Sequence, residues 1–364
     1  MRYLIAPDKF KGTLSAWEVC EILADAVRAH ERGAQIDLAP IADGGEGTAE
    51  LVASQLGAER RSITTVDALG RSISAEFFVH QLEGFIDMSS ASGLWLIAPS
   101  ERRPLDSSTF GTGLIVHHLL DLGIKRISIG LGGSATVDAG FGLAAAVGYA
   151  FLDKEGNSIQ PVPARFGAIA QVIPPDISDW PEVIGLADVE TRLLGPEGAI
   201  HVFGPQKGLR ADEVESLDRE LVRLVGRVED SLGTNHSDTI RSGAAGGFGY
   251  GILTFLRGKL VSGFAEVAQR LQLSQRVSAA DVVITGEGRL DRQSLQGKGP
   301  FGVAEIARRA RKPIWAIAGA IQDAEQVQNH FDKAVSVVGE LITLEAALKD
   351  PAGALRQRAA AFWE

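Results

Sequence analysis

A strand, a glycine turn and a helix start, in that order, make an anion cradle, and the segment Gly130–Asp138 (GLGGSATVD) has this form. It follows the apolar run Arg126–Ile129 and leads into Ala139–Val147, which reads as a buried helix. Glycine lets the backbone approach a ligand, and free N–H groups at a helix N-terminus face a phosphate with the positive end of the helix dipole behind them. Gly132 and Gly133 are the candidates for close approach, Ser134 and Thr136 for hydroxyl donors, and Asp138 for a carboxylate holding Mg²⁺. The competing reading is a tight strand-to-helix turn whose hydroxyls only cap the helix.

Three further stretches have the same grain. Asp43–Thr48 (DGGEGT) follows the apolar run Ile36–Ile41, Gly243–Gly249 (GAAGGFG) is nearly free of charge, and Thr285–Asp291 (TGEGRLD) follows the buried strand Val282–Ile284 and leads to Gly297 and Lys298. The 42 glycines in 364 residues exceed the roughly 7% norm. They gather where apolar runs end, beside Asp, Glu, Lys, Ser and Thr, which is where open parallel sheets carry ligands. Lys11, after a first strand and before a capped helix, is a candidate to neutralise a phosphate, against a solvated loop lysine. Asp43 and Glu46 are candidates for Mg²⁺ or for a substrate hydroxyl, against turn-forming hydrogen bonds. Asp188 ends the run Val183–Ala187 and is the leading general base. Glu287 and Asp291 flank Arg289, so an ion pair competes with a catalytic role, and Lys298 sits among glycines as a second phosphate clamp. Arg102 and Arg103 could grip a carboxylate in bidentate fashion or form a surface turn before Pro104.

Length and composition bound the reading. A chain of 364 residues suggests two domains, and 45% hydrophobic with 23% charged residues is ordinary for a soluble globular protein. The net charge of −10 and the lack of a basic run argue against nucleic acid. Cys20, the single cysteine, has no partner for an internal disulfide and fits a reducing compartment. No signal peptide is visible, and the run Ala139–Leu152 is shorter than the ~18–20 residues of a membrane helix. The expectation is a cytoplasmic protein with no membrane contact.

The elements that must position these residues alternate. Tyr3–Ala6 reads as a strand, a helix starts at Ser15 with Glu18 completing a capping box, and its stripe includes Val19, Ile22, Leu23 and Val27. A strand at Ile36–Ile41 and a helix at Thr48–Leu56 follow; the tail repeats the pattern with strands at Asp281–Ile284, Pro313–Ile317 and Ala334–Val338 and a helix at Phe301–Arg309. Such alternation predicts a parallel sheet covered on both faces. Arg61–Met88 alternates apolar and polar residues and predicts antiparallel hairpins, and the charged helix Ala211–Asp230 reads as a solvated surface. The fold class is therefore α/β: a doubly wound Rossmann-like domain from residues 1–60 and 270–364, split by an inserted α/β domain at 61–269.

Neither GxxxxGK[ST] nor GxGxxG after the first strand occurs. Glycine turns, scattered carboxylates and isolated lysines suit phosphoryl transfer, which needs positioning and charge neutralisation more than covalent chemistry. No Gly-x-Ser-x-Gly elbow and no histidine ligand cluster supports other chemistry. At this point the chain resembles the bacterial glycerate kinases of the two-domain glycerate kinase I fold. The resemblance is carried along almost the whole chain by Ala6–Gly12, Ala42–Thr48, Gly111–Gly113, Gly132–Thr136, Phe203–Gly208, Gly243–Gly249, Ile284–Asp291 and Gly297-Lys298, in that order. It implies ATP-dependent, Mg²⁺-assisted phosphorylation of D-glycerate, usually to 2-phosphoglycerate, at a site between the domains. Read from the residues themselves, the expected roles are catalytic for Asp188, Asp43 and Lys11. Gly132, Gly133, Ser134, Thr136, Gly286, Glu287 and Lys298 would bind nucleotide, Asp8, Glu46, Arg103 and Asp291 substrate, and Asp138 and Asp43 metal.

The chain departs from the family pattern at Glu190–Leu193, where Asn-Pro-Leu is usual, at Val137 and at Lys9; Arg192 could add an anion contact or be a surface arginine. A glycerate 3-kinase or a kinase of another small hydroxy acid is the near alternative. A galactokinase-like glycine-serine loop, a non-catalytic ligand-binding regulator and a dehydrogenase are the more distant ones. The expected partners are small molecules, D-glycerate and ATP, with a homodimer left open.

Overall fold

Short apolar strands form the first sheet. Its five parallel strands run Lys333–Ser336, Ile314–Ile321, Val282–Leu290, Arg2–Ile5 and Gln35–Leu38 from edge to edge, with Tyr3 opposite Val282 and Ile36, and Ile284 opposite Trp315. Tyr3, Leu4, Ile5, Val283 and Ile284 are fully buried. The computed structural model describes residues 1–176, 179–291 and 299–363, and the chain divides into two compact units, Met1–Asp43 with Phe264–Glu364, and Gly44–Gly263. The first sheet belongs to the first unit. Numbered by chain order within that unit its strands lie 5-4-3-1-2, so the order reverses between Arg2–Ile5 and Val282–Leu290. In open α/β sheets such a reversal opens a crevice at the carboxyl ends of the two strands, where ligands bind.

Helix Ala16–His30 starts as the sequence predicts. Glu18 N donates to Ser15 Oγ at 3.2 Å and Ser15 N donates back to Glu18 Oε2 at 2.7 Å, so two of the helix's orphan donors are satisfied reciprocally. Val19, Ile22, Leu23 and Val27 turn into the core. Cys20 joins them, its thiol 3.6 Å from Ile5 O and its pKa pushed up by burial, as befits a small core residue. Arg276 grips Asp37 with two nitrogens and donates to Leu38 O at 2.6 Å, which ties helix Leu273–Ala279 to the edge strand.

The second unit carries a six-stranded sheet ordered Lys259–Val261, Glu182–Leu186, Arg126–Gly130, Glu83–Asp87, Ser72–His80 and Glu59–Val66. The first four are mutually parallel and the last three antiparallel, so the predicted hairpins form one side of a mixed sheet. A two-stranded ribbon pairs Ala150–Leu152 with Gln171–Ile173. The core gathers Phe77, Ile86, Ile127, Ile129, Phe141, Phe151, Phe166 and Phe255, with Phe141 at the centre of three ring contacts at 5.2–5.5 Å.

Three expectations need correction. Helix Ala211–Leu232 is not a merely solvated surface: Val214, Leu217, Leu221, Leu224, Val225 and Val228 are buried, a 3–4 spacing that its many charges masked. The helix expected directly after GLGGSATVD begins only at Phe141 and spans six residues, Phe141–Ala146. Helix Thr48–Leu56 lies in the second unit, because the Asp87 carboxylate accepts from Gly47 N at 2.9 Å and Ala49 N at 3.0 Å and holds its N-terminus to the Glu83–Asp87 strand. Among the described residues, no helix is long and apolar enough to cross a membrane.

Replacing Ser15 with Ala removes the hydroxyl that accepts from Glu18 N and donates to Glu18 Oε2, and should lower unfolding free energy by about 1 kcal/mol in urea titration. An unchanged midpoint would show that the tertiary contacts of helix Ala16–His30, and not its cap, set its stability.

Candidate functional site

In the first unit the chemistry sits on the strand-order reversal. Ala6 N and Asp8 N donate to Ile284 O and Gly286 O, each at 2.7 Å, and Thr285 Oγ1 donates to Ala6 O at 2.7 Å. These bonds carry the parallel register past the first strand's end and place Asp8, Lys9, Phe10 and Lys11 beside Gly286–Gly288. Asp8 is buried, and its Oδ1 accepts from Lys9 N at 2.6 Å. A side-chain carbon built on Gly299, the first residue of helix Gly299–Arg309, would stand 3.7 Å from Asp8 Oδ2 and 3.9 Å from Glu287 Oε2. Two carboxylates therefore converge beside a bare backbone. Lys11 is exposed, with its backbone N 3.2 Å from the position a Gly288 side chain would take. Asp43 is half-buried and ends the first segment of this unit, Met1–Asp43. Asp291 is half-buried and lies 3.6 Å from Arg289 Nε, so the ion pair weighed from sequence is present. Lys298 lies outside the described residues.

In the second unit two glycine loops meet backbone to backbone. Leu131 N donates to Gly44 O at 2.9 Å and to Leu186 O at 3.1 Å. A side chain on Gly132 would run into the Gly45 Cα, so only glycine permits the approach. This packing places the exposed Gly133 and Glu46 together: a carbon on Gly133 would stand 3.3 Å from Ser89 Cβ and 3.4 Å from Glu46 Oε2. Asp188 lies two residues past the Glu182–Leu186 strand and is 8% exposed. Arg103 is exposed at the start of the turn Pro104–Asp106. Arg102 donates to Gln206 O at 3.3 Å. Arg192 makes a surface ion pair with Asp238 at 3.2 Å, the surface reading of that departure.

The Gly130–Asp138 stretch is built differently from the predicted cradle. Asp138 is 1% exposed, and its carboxylate accepts from Thr109 N (2.7 Å), Thr109 Oγ1 (2.8 Å), Gly140 N (3.2 Å) and Gly142 N (3.1 Å). Burial pushes its pKa up while those donors pull it down. Its acceptor capacity is spent on joining Thr109, which precedes helix Phe110–Asp121, to the start of helix Phe141–Ala146. The metal role expected of Asp138 is therefore withdrawn, and the helix N-terminus expected to meet phosphate is filled by this carboxylate. Thr136 is wholly buried, and its hydroxyl has no hydrogen-bond partner among the described residues. Ser134 remains next to Gly133, also buried, with its Oγ accepting from Lys207 Nζ at 2.7 Å.

Lys207 is the residue that sequence reasoning missed. It ends helix Ala199–Lys207, is 2% exposed, and donates to Ser134 Oγ and, at 2.6 Å, to Thr136 O. Gly246, in the left-handed region at φ +70°, brings the Gly243–Gly249 stretch against this ammonium: a side-chain carbon there would stand 2.7 Å from Nζ and collide with Thr136 O. Two glycine stretches, Gly130–Asp138 and Gly243–Gly249, thus meet around one buried lysine. The available signal was a lone lysine in Phe203–Gly208, a stretch otherwise without charge. Burial lowers its pKa to about 7, opposed by the charge of Asp138.

The comparisons agree over the whole chain. A family model described as the glycerate kinase family matches residues 3–364. A Bacillus subtilis (strain 168) protein named glycerate kinase is 38% identical over 363 residues, covering 97% of this chain and 94% of that one. An Escherichia coli (strain K12) protein named glycerate 2-kinase is 37% identical over 359 residues, with 96% and 93% covered. A crystal structure of a putative glycerate kinase 2 from Salmonella typhimurium LT2 superposes with a TM-score of 0.84 at 35% identity, covering 100% of this chain and 97% of that one.

The Lys207 proton makes stability depend on pH. With a folded pKa of about 7 against 10.5 for an ordinary lysine, the unfolded chain binds more protons across that window, so stability rises with pH there and this share is lost as pH falls through about 7. Urea unfolding of wild type should gain stability from pH 7 to pH 9 relative to Lys207→Met, and parallel curves would contradict it. Asp138→Ala should cost about 3 kcal/mol by leaving buried donors unsatisfied, with no change in Mg²⁺ requirement; a raised Mg²⁺ requirement at native stability would restore the metal reading. From its glycine turns to its full length, the chain belongs to the glycerate kinase family, and it is a kinase.

Proposed function

We propose that the protein transfers the γ-phosphoryl group of ATP to D-glycerate, with Mg²⁺ as the assisting cation, and that the product is 2-phosphoglycerate. The acceptor and the position of transfer are supported by family membership and by the Escherichia coli relative named glycerate 2-kinase. The observation that carries the mechanism is the convergence of Asp8, Lys11, Glu287 and Gly288 on the strand-order reversal of the first sheet. That is where a doubly wound sheet receives phosphates. The reaction is proposed for the cytoplasm, in keeping with a lone, buried, free cysteine.

The donor set fits Mg²⁺. Among the described residues no three His, Cys, Asp or Glu side chains form a metal-holding group, but Mg²⁺ usually takes one or two carboxylates and completes its shell with water and substrate phosphates. Asp8 and Glu287, converging beside Gly299, would hold it. Bound there, it would offset the negative charge of the β- and γ-phosphate oxygens.

The chain's own groups divide the remaining work. Lys11 neutralises phosphate oxygens, and the bare backbone at Gly286 and Gly288 lets the chain lie close to them. Asp188 accepts the proton of the glycerate hydroxyl as its oxygen bonds to the γ-phosphorus and the bond from that phosphorus to the β-bridging oxygen breaks. It stands two residues past the Glu182–Leu186 strand, at the carboxyl end of the second unit's sheet. Gly133, Ser134 and Glu46 line the glycine loops of the same unit and orient the acceptor, and Asp43 is the further candidate for the substrate hydroxyl. Lys207 fixes Ser134 from below.

Asp188→Asn should lower kcat by about 10²–10⁴ while ADP binding by calorimetry is retained. Lys11→Met should lower kcat/KM for ATP by about 10². Wild-type kcat in Asp188→Asn would remove the general base from this mechanism, and unaltered turnover in Lys11→Met would remove the phosphate contact.

A further inference from the structure

Along the carboxyl edge of the first sheet lies a cavity of about 120 Å³ that is partly open to solvent. It crosses the ends of four of the five strands. Phe10 and Lys11 follow the first strand, Gly288 lies on the third, Gly319 and Ala320 on the fourth, and Val337 and Val338 follow the fifth. Helix Leu344–Lys349 adds Leu344, Ala347 and Leu348 to its walls.

The floor is bare backbone. Gly288 and Gly319 are neighbours across two paired strands, and a side chain on Gly319 would collide with Gly288 O. The walls are mostly apolar, with Phe10, Val337, Val338, Leu344, Ala347 and Leu348 among them. Such a slot, flat below and apolar at the sides, takes a planar ring. Its volume is close to the ~150 Å³ of an apolar cavity that admits benzene, so one ring system enters while the rest of the ligand stays outside. The walls are also incomplete: Leu344 and Leu348 are 59% and 58% exposed on the same short helix, apolar surface that a bound ring would cover. At the strand-reversal end stands Lys11, next to Gly288 and three residues after Asp8 in the segment that follows the first strand, which supplies the cation for an anionic tail.

From this juxtaposition we infer that the cavity is the base-binding pocket of the kinase: the purine ring of a nucleoside triphosphate lies on Gly288 and Gly319 against Leu344, Ala347 and Leu348, and its phosphates lead out past Lys11. The inference rests on the proposed use of ATP. It adds the part of the first unit that chooses a nucleotide over inorganic polyphosphate, since an apolar slot contributes nothing to a ligand without a ring.

The test uses the full-length protein, the fluorescent nucleotide N-methylanthraniloyl-ADP, and inorganic tripolyphosphate as a ringless competitor. Two variants alter the slot. Leu344→Ala/Leu348→Ala strips the exposed wall at positions where loss of side chain leaves the fold intact, and Ala347→Trp fills the space. Each should weaken N-methylanthraniloyl-ADP binding and raise KM for ATP about tenfold, from loss of apolar contact area, while KM for D-glycerate and inhibition by tripolyphosphate stay at wild-type values. Wild-type nucleotide affinity in both variants would overturn the pocket and leave the kinase reading standing. Nucleotide binding that weakens as expected, in a protein that does not phosphorylate D-glycerate, would support the pocket and overturn the acceptor. A wild-type protein that binds no N-methylanthraniloyl-ADP would overturn the use of a nucleotide, and this pocket with it.

Discussion

The contact of Gly45 with Gly132 is the constraint on which the second unit's site depends. Backbones this close exclude any side chain, and the contact sets where Gly133, Glu46 and Ser134 stand. Lys207 secures the same loops from beneath through Ser134 Oγ and Thr136 O. A lysine buried without a carboxylate in hydrogen-bonding contact is costly, and burial draws its pKa down to about 7. The cost is tolerable because its hydrogens meet two oxygens and because a fully buried Asp138 adds a favourable field. Rigid placement of loops is what phosphoryl transfer asks of a protein, since little covalent chemistry is left for it to do.

The first unit solves a different problem with the same residue type. Its parallel register continues past the strand ends through Ala6 and Asp8, bringing acidic and basic side chains to the reversal in strand order. Glycines at 286, 288 and 319 keep side chains away from that edge. A polar end with Asp8, Lys11 and Glu287 and an apolar end with Val337, Leu344 and Leu348 give one edge two chemical characters. An amphipathic ligand such as a nucleotide matches that division.

Much of this was legible in the sequence because it is local. The capping box at Ser15 and Glu18, the hairpins in Arg61–Met88, the parallel strands of the tail and the glycine stretches are each written in a short window. What escaped was set by distant partners. Asp138 looks like a ligand-facing carboxylate until Thr109, 29 residues earlier, claims it. Asp87 fixes helix Thr48–Leu56 from about 40 residues away, and no local pattern marks it. Lys207 meets Ser134 and Thr136 across more than 70 residues. In helix Ala211–Leu232 the charges were conspicuous and the buried stripe was not, although the spacing was there to be counted.

The proposed reaction has ATP as donor and the secondary hydroxyl of D-glycerate as acceptor. Phosphorus NMR of the protein incubated with ATP, Mg²⁺ and D-glycerate reads donor, acceptor and position together. The expected result is loss of the ATP γ-phosphate resonance with growth of 2-phosphoglycerate. A 3-phosphoglycerate signal would contradict the position of transfer, and an ATP spectrum that does not change would contradict the reaction.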